Sequence, residues 1–385
     1  MLKRFTRPPR LPVSALQSFA RRKMSGVTSP KCPKFLSLEA GDDMAKIHFS
    51  GPKFRLVSYN ILAQVYVKSS FFPHSPSPSL KWKARSQAIL TVLKSFKADF
   101  LCIQELDEYD SFYKAKMGSL GYSSMYVQRT GQKRDGCGIF YKQDSAELVL
   151  MEEIDYNDLV KSVDNGAALC EIDDDLNATS TEGSSQKSAP DGHGDLNDPC
   201  VRLKRDCVGI LAAFKLNDPS HPIIIVANTH IYWDPELADV KLAQANYLLL
   251  RLDKFRAVVS DRFNCKPPVL VAGDFNSTPG DKVYQCLVLG STSTLMQQGE
   301  TEEKSHLSLC SLHAFIGGEP PFTNYTPGFV GTLDYIFFTP SSGLKPVSSL
   351  AIPGPESPDI VGGLPNYQFP SDHLPIGADF IITST

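Results

Sequence analysis

Six short polar segments of this chain carry groups able to bind a divalent cation, activate water and hold a phosphate. They are Ser58-Tyr59-Asn60, Gln104-Glu105, Asn228-Thr229-His230, Gly273-Asp274-Phe275-Asn276, Leu333-Asp334-Tyr335 and Ser371-Asp372-His373. Cleaving a phosphoester needs a cation on the phosphoryl oxygen, an activated water and neutralisation of charge in the transition state. Magnesium is a hard ion that takes carboxylate oxygens and water, so Glu105, directly after the apolar run FLCIQ, is the strongest metal-ligand candidate. Asn60 can orient that ligand, or a water on the cation, without adding charge. Asp274 is the candidate base for the water, and Asn276, two residues on, a neutral donor to the phosphate. With strand geometry maintained through GDFN, both would face one side and Phe275 the core. Gly273 permits a close backbone approach at this point.

His230 ends the apolar run IIIVANTH and can hydrogen-bond a scissile phosphate or a leaving oxygen. His373, when cationic, can stabilise a pentavalent phosphorane. Either histidine alone would ordinarily be a satisfied structural residue. Asp372 adjoins His373, but strand neighbours face opposite ways, so adjacency does not pair them. Asp334 lies in an apolar, β-rich run, where a buried acid must be paired or metal-bound. Singly these residues read as loop or core groups; together they read as one site.

The elements that must position them are legible as well. The early segments begin where β-rich runs stop, and strand ends of a rigid sheet can face a common cleft. The sequence predicts a strand over 54–59, a Pro/Ser-rich surface loop, and a helix over 83–96 with Ile89, Leu90, Leu93 and Phe96 on one face. A strand over 99–104 follows. CVGILAAFKL and PIIIVANTH, joined by NDPSH, read as a hairpin. A helix over 235–259, the strand PPVLVAGDFN, a turn at 277–280 and a helix from Asp281 come next, then the strands LDYIFFT and PIGADFIIT. Strands alternating with a few helices predict an α/β sandwich of two mixed sheets.

With 385 residues, 42% of them hydrophobic, the chain can bury a large core, and one catalytic domain over 53–385 is expected. The formal net charge of −3 argues against a surface that coats polyanions generally, while leaving room for a local basic rim. Nine cysteines without a CxxC pair read as reduced thiols of an intracellular protein, not as a zinc or disulfide framework. No run of about 18 apolar residues exists, so no membrane partner is expected. Residues 1–52 are basic, with no acid before Glu39, and read as a disordered leader or transit peptide, or a basic RNA-binding arm. Residues 161–200, acidic and rich in Ser, Gly and Asp, read as a disordered surface insertion.

In order, SYN, QE, NTH, GDFN, LDYIF and SDHLP resemble the endonuclease/exonuclease/phosphatase superfamily, which includes deoxyribonuclease I and the abasic-site endonucleases. The resemblance implies a four-layer α/β sandwich of two mixed β-sheets flanked by helices. It also implies Mg²⁺-dependent phosphoester hydrolysis with one or two ions, Mn²⁺ being a substitute. By motif match, Asn60 and Glu105 become the metal-binding pair, and His230 and Asn276 the phosphate contacts. Asp274 becomes the general acid/base, Asp334 a second catalytic carboxylate and His373 the transition-state stabiliser, with Asp372 supporting the site.

The segments VSYNILAQ, RDGCGIFY, NTHIYWDPELADVKLAQ and FTNYTPGFVGTLDYIFF are similar to the carbon catabolite repressor type deadenylases and their relative nocturnin. That likeness implies a 3′-exoribonuclease acting on single-stranded poly(A) RNA, with release of 5′-AMP. Pro235 and Phe329 match positions that flank a bound adenine, and Asn324 a base-contacting position. The alternatives are a nocturnin-like phosphatase that removes the 2′-phosphate of a nicotinamide dinucleotide phosphate, and an inactive RNA-binding scaffold. The scaffold is disfavoured because no catalytic segment is missing. No leucine-rich repeat precedes the nuclease, so any association with a deadenylation complex is expected to use other contacts. The family suggests the cytoplasm and the nucleus; the basic N-terminus suggests a mitochondrion or plastid instead.

Overall fold

Period-two alternation along the apolar runs decides the layering. The computed structural model describes residues 29–38, 50–161, 195–290 and 307–383. Its strands are β1 (Phe35–Ser37), β2 (Lys53–Asn60), β3 (Phe100–Gln104), β4 (Tyr122–Gln128), β5 (Gly136–Lys142), β6 (Ala146–Asp155), β7 (Val208–Leu216) and β8 (Ile223–His230). These are followed by β9 (Val269–Asp274), β10 (Cys310–Ser311), β11 (Asn324–Tyr325), β12 (Val330–Gly331), β13 (Asp334–Phe338), β14 (Leu344–Leu350) and β15 (Ile376–Ile382). The longer helices are α1 (Trp82–Phe96), α2 (Ala238–Phe263) and α3 (Lys282–Leu289).

One sheet runs β1-β14-β15-β2-β3-β5-β4 and the other β10-β13-β9-β8-β7-β6, with β11-β12 as a separate hairpin. Leu56, Phe100, Cys102, Val226, Leu270, Ala272 and Ile336 pack in one cluster between the two sheets. Their strand neighbours turn outward. Val57, Leu101 and Ile103 meet Ile89, Leu93 and Phe96 of α1, while Ala227, Val269 and Val271 meet Leu248, Leu252 and Phe255 of α2. The result is four layers, helix, sheet, sheet, helix: the residue pattern predicts the two mixed sheets, and the resemblance the four layers.

Both sheets contain a parallel pair linked by a helix. β2 pairs with β3 across α1, and β8 with β9 across α2. The β7–β8 hairpin is antiparallel, as NDPSH predicts. The helix expected over 235–259 starts instead with a 3₁₀ turn, Pro235–Leu237, before α2 continues to Phe263.

Two boundaries move. Within the segment read as a leader, Phe35–Ser37 adds an edge strand to β14, and Phe35 stacks under the Arg55 guanidinium at 3.7 Å. The unpaired edge of β14 and that cation–π contact order a stretch whose composition alone predicts disorder. Within the segment read as an insertion, Pro199–Leu203 forms a short helix capped by Asp198, and Arg202 pairs with Asp239 of α2 at 2.7 Å. The remainder of these two segments, 1–28, 39–49 and 162–194, lies outside the described residues. The described cysteines are free thiols, and among the described residues no helix is long and apolar enough to cross a membrane.

Gly273 is required where the parallel strands β8 and β9 meet. A Cβ there would sit 2.1 Å from the Thr229 carbonyl oxygen. Gly273→Ala is expected to cost about 2–4 kcal/mol in urea unfolding; a loss under about 0.5 kcal/mol, the range of ordinary surface changes, would contradict the close approach.

Candidate active site

The site follows from strand parity and register. Asn60 continues the inward-facing series of Leu56 and Ser58; His230, Asp274 and Asp334 are the inward-facing terminal residues of β8, β9 and β13. Parallel pairing puts His230 beside Asp274, and antiparallel pairing puts Asp334 on its other side. In the facing sheet Asn60 is paired with Gln104. A buried amide bridge joins the two sheets just beneath: Gln104 Nε2 donates to Ser58 Oγ (3.1 Å) and Asn228 Oδ1 (2.7 Å). Asn228 Nδ2 donates in turn to the Ile103 and Gly138 carbonyls.

Asn60 links the two acids on either side of the cleft. Its Nδ2 is 3.0 Å from both Glu105 Oε1 and Asp274 Oδ2, while its Oδ1 accepts the Leu62 N–H. Glu105 Oε2 accepts the Ala63 N–H at 2.9 Å. Glu105 and Asn276 have φ of 51° and 45°, left-handed values that few residues other than glycine adopt. The strand therefore stops at Asp274, and the shared-face geometry expected for Asp274 and Asn276 is replaced by a tight turn. In that turn the Asn276 N–H donates to Asp274 Oδ1 at 2.9 Å. The Asn276 side chain still returns to the cleft, with Nδ2 3.1 Å from His230 Nε2 and 3.0 Å from the Ile231 carbonyl.

His373 takes Asp334 as its partner. Nδ1 lies 2.8 Å from Asp334 Oδ2, and Nε2 lies 3.7 Å from Asp274 Oδ2. Asp334 Oδ2 also accepts the Thr323 hydroxyl at 2.6 Å. Asp372 instead faces Asn324, 3.4 Å from its Nδ2, and is only half-buried. Ser371 Oγ donates to the Asn60 carbonyl and accepts the His373 N–H, fastening the last polar segment to the first.

Burial and neighbouring charges separate the titrating groups. Glu105 is pushed up to about 8 by burial, then by the charges of Asp372 and Asp135. Asp274 is raised by burial and by Asp334 beside it. Burial disfavours charge on His373, but the carboxylates of Asp334 and Asp274 outweigh it and hold the imidazole well above its usual range. His230 is lowered to about 4 by burial, against a smaller opposing pull from Asp274. The site therefore favours charge on His373 and disfavours it on His230.

The donors suit a hard divalent cation: the carboxylate oxygens of Glu105, oriented by the Asn60 amide, with no thiolate. Both Glu105 oxygens keep lone pairs beyond the hydrogen bonds they accept. A second cluster, Asp274, Asp334 and His373, has ligand atoms within 4.8 Å of one another, and the buried Asp334 Oδ1 has no hydrogen-bond partner. Protonated His373 cannot ligate, so this cluster reads first as an acid–imidazolium–acid line.

Asn324 forms an antiparallel bridge to His373, which brings it to the site. Phe329, 42% exposed, lies on the β11–β12 hairpin with its ring folded over Gly331. Pro235 is exposed five residues beyond His230, on a separate segment. Sequence reasoning missed Thr323, Arg85 and Lys241. The basic pair had a signal: Arg85 shares the apolar face of Ile89, Val92 and Phe96, and Lys241 that of Ala245, Leu248 and Leu252.

Comparison with known proteins agrees with this fold. Residues 57–373 match the model of the Endonuclease/Exonuclease/phosphatase family. The chain is 61% identical over 338 residues to "Carbon catabolite repressor protein 4 homolog 4" of Arabidopsis thaliana, covering 87% of this chain and 79% of that protein. It is 28% identical to the "CCR4-Not complex 3'-5'-exoribonuclease subunit Ccr4" of Phaeosphaeria nodorum over 85% of this chain, and spans 59% of that subunit's length. A solved structure of ANGEL2, a 2′,3′-cyclic phosphatase, in complex with adenosine-2′,3′-vanadate superposes with a TM-score of 0.68 at 25% identity, over 91% of this chain and 98% of that one. The human nocturnin catalytic domain with bound sulfate gives 0.58 at 22% identity over 91% of this chain and 98% of that one, a likeness of fold alone.

Proposed function

We propose, since this chain belongs to the endonuclease/exonuclease/phosphatase family and to its carbon catabolite repressor branch, that it is a Mg²⁺-dependent 3′-exoribonuclease shortening poly(A). The observation that carries the chemistry is the meeting of Glu105, Asn60, Asp274, His373 and Asp334 across one cleft.

When bound, Mg²⁺ supplies Lewis-acid charge to a phosphoryl oxygen, and Glu105, with Asn60 beside it, would hold it. Asp274, its basicity raised by burial, accepts the proton of the attacking water. The water oxygen bonds to phosphorus as the P–O3′ bond breaks, the 3′-oxygen of the shortened RNA takes a proton from solvent, and 5′-AMP leaves. The His373 imidazolium, anchored on Asp334, faces the charge that accumulates on the phosphorane. Neutral His230 and the Asn276 amide orient the phosphate without adding charge of either sign.

Adenine preference is supported by Asn324 at the site and by the exposed ring of Phe329, since a base stacked on an aromatic contributes about 1–3 kcal/mol. Phe329→Ala is expected to raise KM for oligo(A) about tenfold, with a smaller effect on bis(p-nitrophenyl) phosphate, which has no base. Equal effects on both substrates in steady-state assays would remove Phe329 from base recognition. The fungal relatives named as subunits of the CCR4-Not complex support association with a deadenylation assembly. We place the protein in the cytoplasm and nucleus, with an organelle as the alternative; a tagged full-length chain tests this by microscopy.

The ANGEL2 likeness favours one other reading, removal of a terminal 2′,3′-cyclic phosphate. The deciding experiment offers four substrates in parallel: 5′-labelled oligo(A), a non-adenine RNA of equal length, an RNA with a 2′,3′-cyclic phosphate end, and a nicotinamide dinucleotide phosphate. Stepwise shortening of oligo(A) in preference to the others is expected. Turnover of the cyclic end or the dinucleotide alone would overturn the exonuclease reading.

A further inference from the structure

Two buried cations stand directly behind the site, each the fourth residue of a helix that connects a parallel strand pair. Arg85 in α1 is 1% exposed. Its Nη2 donates to the Ile61 and Leu62 carbonyls (2.7 and 2.6 Å), its Nη1 to Gln64 Oε1 (2.9 Å) and its Nε to the Pro370 carbonyl (2.8 Å). Ile61 and Leu62 directly follow Asn60, and Pro370 precedes Ser371-Asp372-His373. One guanidinium therefore clamps the turn that holds Glu105 through the Ala63 N–H to the turn that delivers His373. Lys241 in α2 is 6% exposed, and its Nζ donates to the Asn276 carbonyl at 2.8 Å, bracing the left-handed turn after β9.

Neither position needs a cation to fill the core. An apolar side chain of similar size would pack between helix and sheet without the desolvation cost of a buried charge. What an apolar side chain cannot do is satisfy the carbonyls of irregular turns that leave the strand ends. Both turns carry residues with positive φ, at Leu62 and at Asn276, a geometry that persists only when its surroundings fix it.

We propose that Arg85 and Lys241 are positioning residues that hold the two halves of the site in register. Arg85 sets the cation-holding turn against the His373 turn, and Lys241 sets the turn that carries Asn276 beside His230. The inference rests on the phosphodiesterase reading above, and goes beyond it by assigning catalytic geometry to groups that touch neither substrate nor cation.

The test uses the purified full chain with Lys241→Met, Arg85→Lys and Arg85→Met, assayed well below each variant's own Tm. It measures kcat and KM on oligo(A) and on bis(p-nitrophenyl) phosphate, and Mn²⁺ affinity by calorimetry. Lys241→Met is expected to lower kcat on both substrates about 10–100-fold, with KM within about threefold and Mn²⁺ affinity unchanged. Arg85→Lys is expected to weaken Mn²⁺ binding about tenfold, because one ammonium cannot reproduce the planar fork that spans four acceptors. Arg85→Met leaves four acceptors unsatisfied and is expected to be the least stable of the three, so Arg85→Lys carries that half of the test. A fall in Tm alone, with kcat and Mn²⁺ affinity within twofold of wild type in both Lys241→Met and Arg85→Lys, would overturn the proposal. Wild-type protein that cleaved the diester but not oligo(A) would overturn the RNA reading, and the variants would still be compared on the diester.

Discussion

Asp274→Asn is expected to lower kcat on oligo(A) by about 10²–10⁴-fold, the usual range for a positioned general base, while KM changes little. Asparagine keeps the shape and leaves an oxygen for the Asn276 N–H that Asp274 Oδ1 now accepts. What it removes is the carboxylate oxygen that faces Asn60, His230 and His373 at the centre of the site. The same substitution makes a prediction for stability. Burial and Asp334 raise the pKa of Asp274 in the folded state above its unfolded value. For an acid shifted in that direction, ionisation opposes folding, and the cost grows as pH rises through the unfolded value of about 3.9. The variant is therefore expected to melt no lower than wild type at pH 7, with any advantage shrinking as pH falls towards 4. Thermal melts across that range check it. An Asp274→Asn enzyme that kept more than a tenth of wild-type kcat would remove Asp274 as the base.

Glu105→Gln is expected to weaken Mn²⁺ or Mg²⁺ binding by at least about 100-fold, since loss even of a residue that supports a ligand costs 10–100-fold. Burial first, and then the nearby acids Asp372 and Asp135, push the Glu105 carboxyl up to about 8 in the absence of a cation. Below that value a cation must displace a proton to bind, so affinity is expected to climb with pH up to about 8 and then level off. Calorimetry in buffers of different ionisation enthalpy would show proton release at pH 7 for wild type and none for Glu105→Gln. Because charge on Glu105 opposes folding above the unfolded carboxylate value, a bound cation relieves that strain. Added Mg²⁺ is expected to raise the Tm of wild type and not of Glu105→Gln. Unaltered cation affinity in the variant would move the metal elsewhere, and the Asp274–Asp334–His373 cluster is where it would go.

The strands, the parallel pairs and most of the site could be read from the sequence because they depend on local pattern. Period-two runs ending in polar residues point inward side chains to one edge of each sheet, and Asn60, His230, Asp274 and Asp334 all follow that rule. The partner of His373 was not legible. Asp334 is remote in sequence, and its reach to Nδ1 depends on a strand register that no local pattern specifies. The turn at Asn276 departs from strand geometry because Asp274 captures the Asn276 N–H, a local option open to any Asx residue. Arg85 and Lys241 were not legible because a cation on a buried helix face reads from sequence like a solvated one, and the carbonyls that hold them lie on distant turns. The edge strand at Phe35 was hidden because its stabilising partners, β14 and Arg55, lie far along the chain.

In the proposed reaction, water activated at Asp274 beside a Glu105-held cation attacks the terminal phosphodiester of an RNA 3′ end directly. Oligo(A) digested by the wild-type chain with Mg²⁺ in H₂¹⁸O, and analysed by mass spectrometry, tests it most closely. The expected products are 5′-AMP carrying one ¹⁸O on its phosphate and an RNA ladder shortened one nucleotide at a time from the 3′ end. Products bearing a 2′,3′-cyclic phosphate, or AMP without the label, would contradict it.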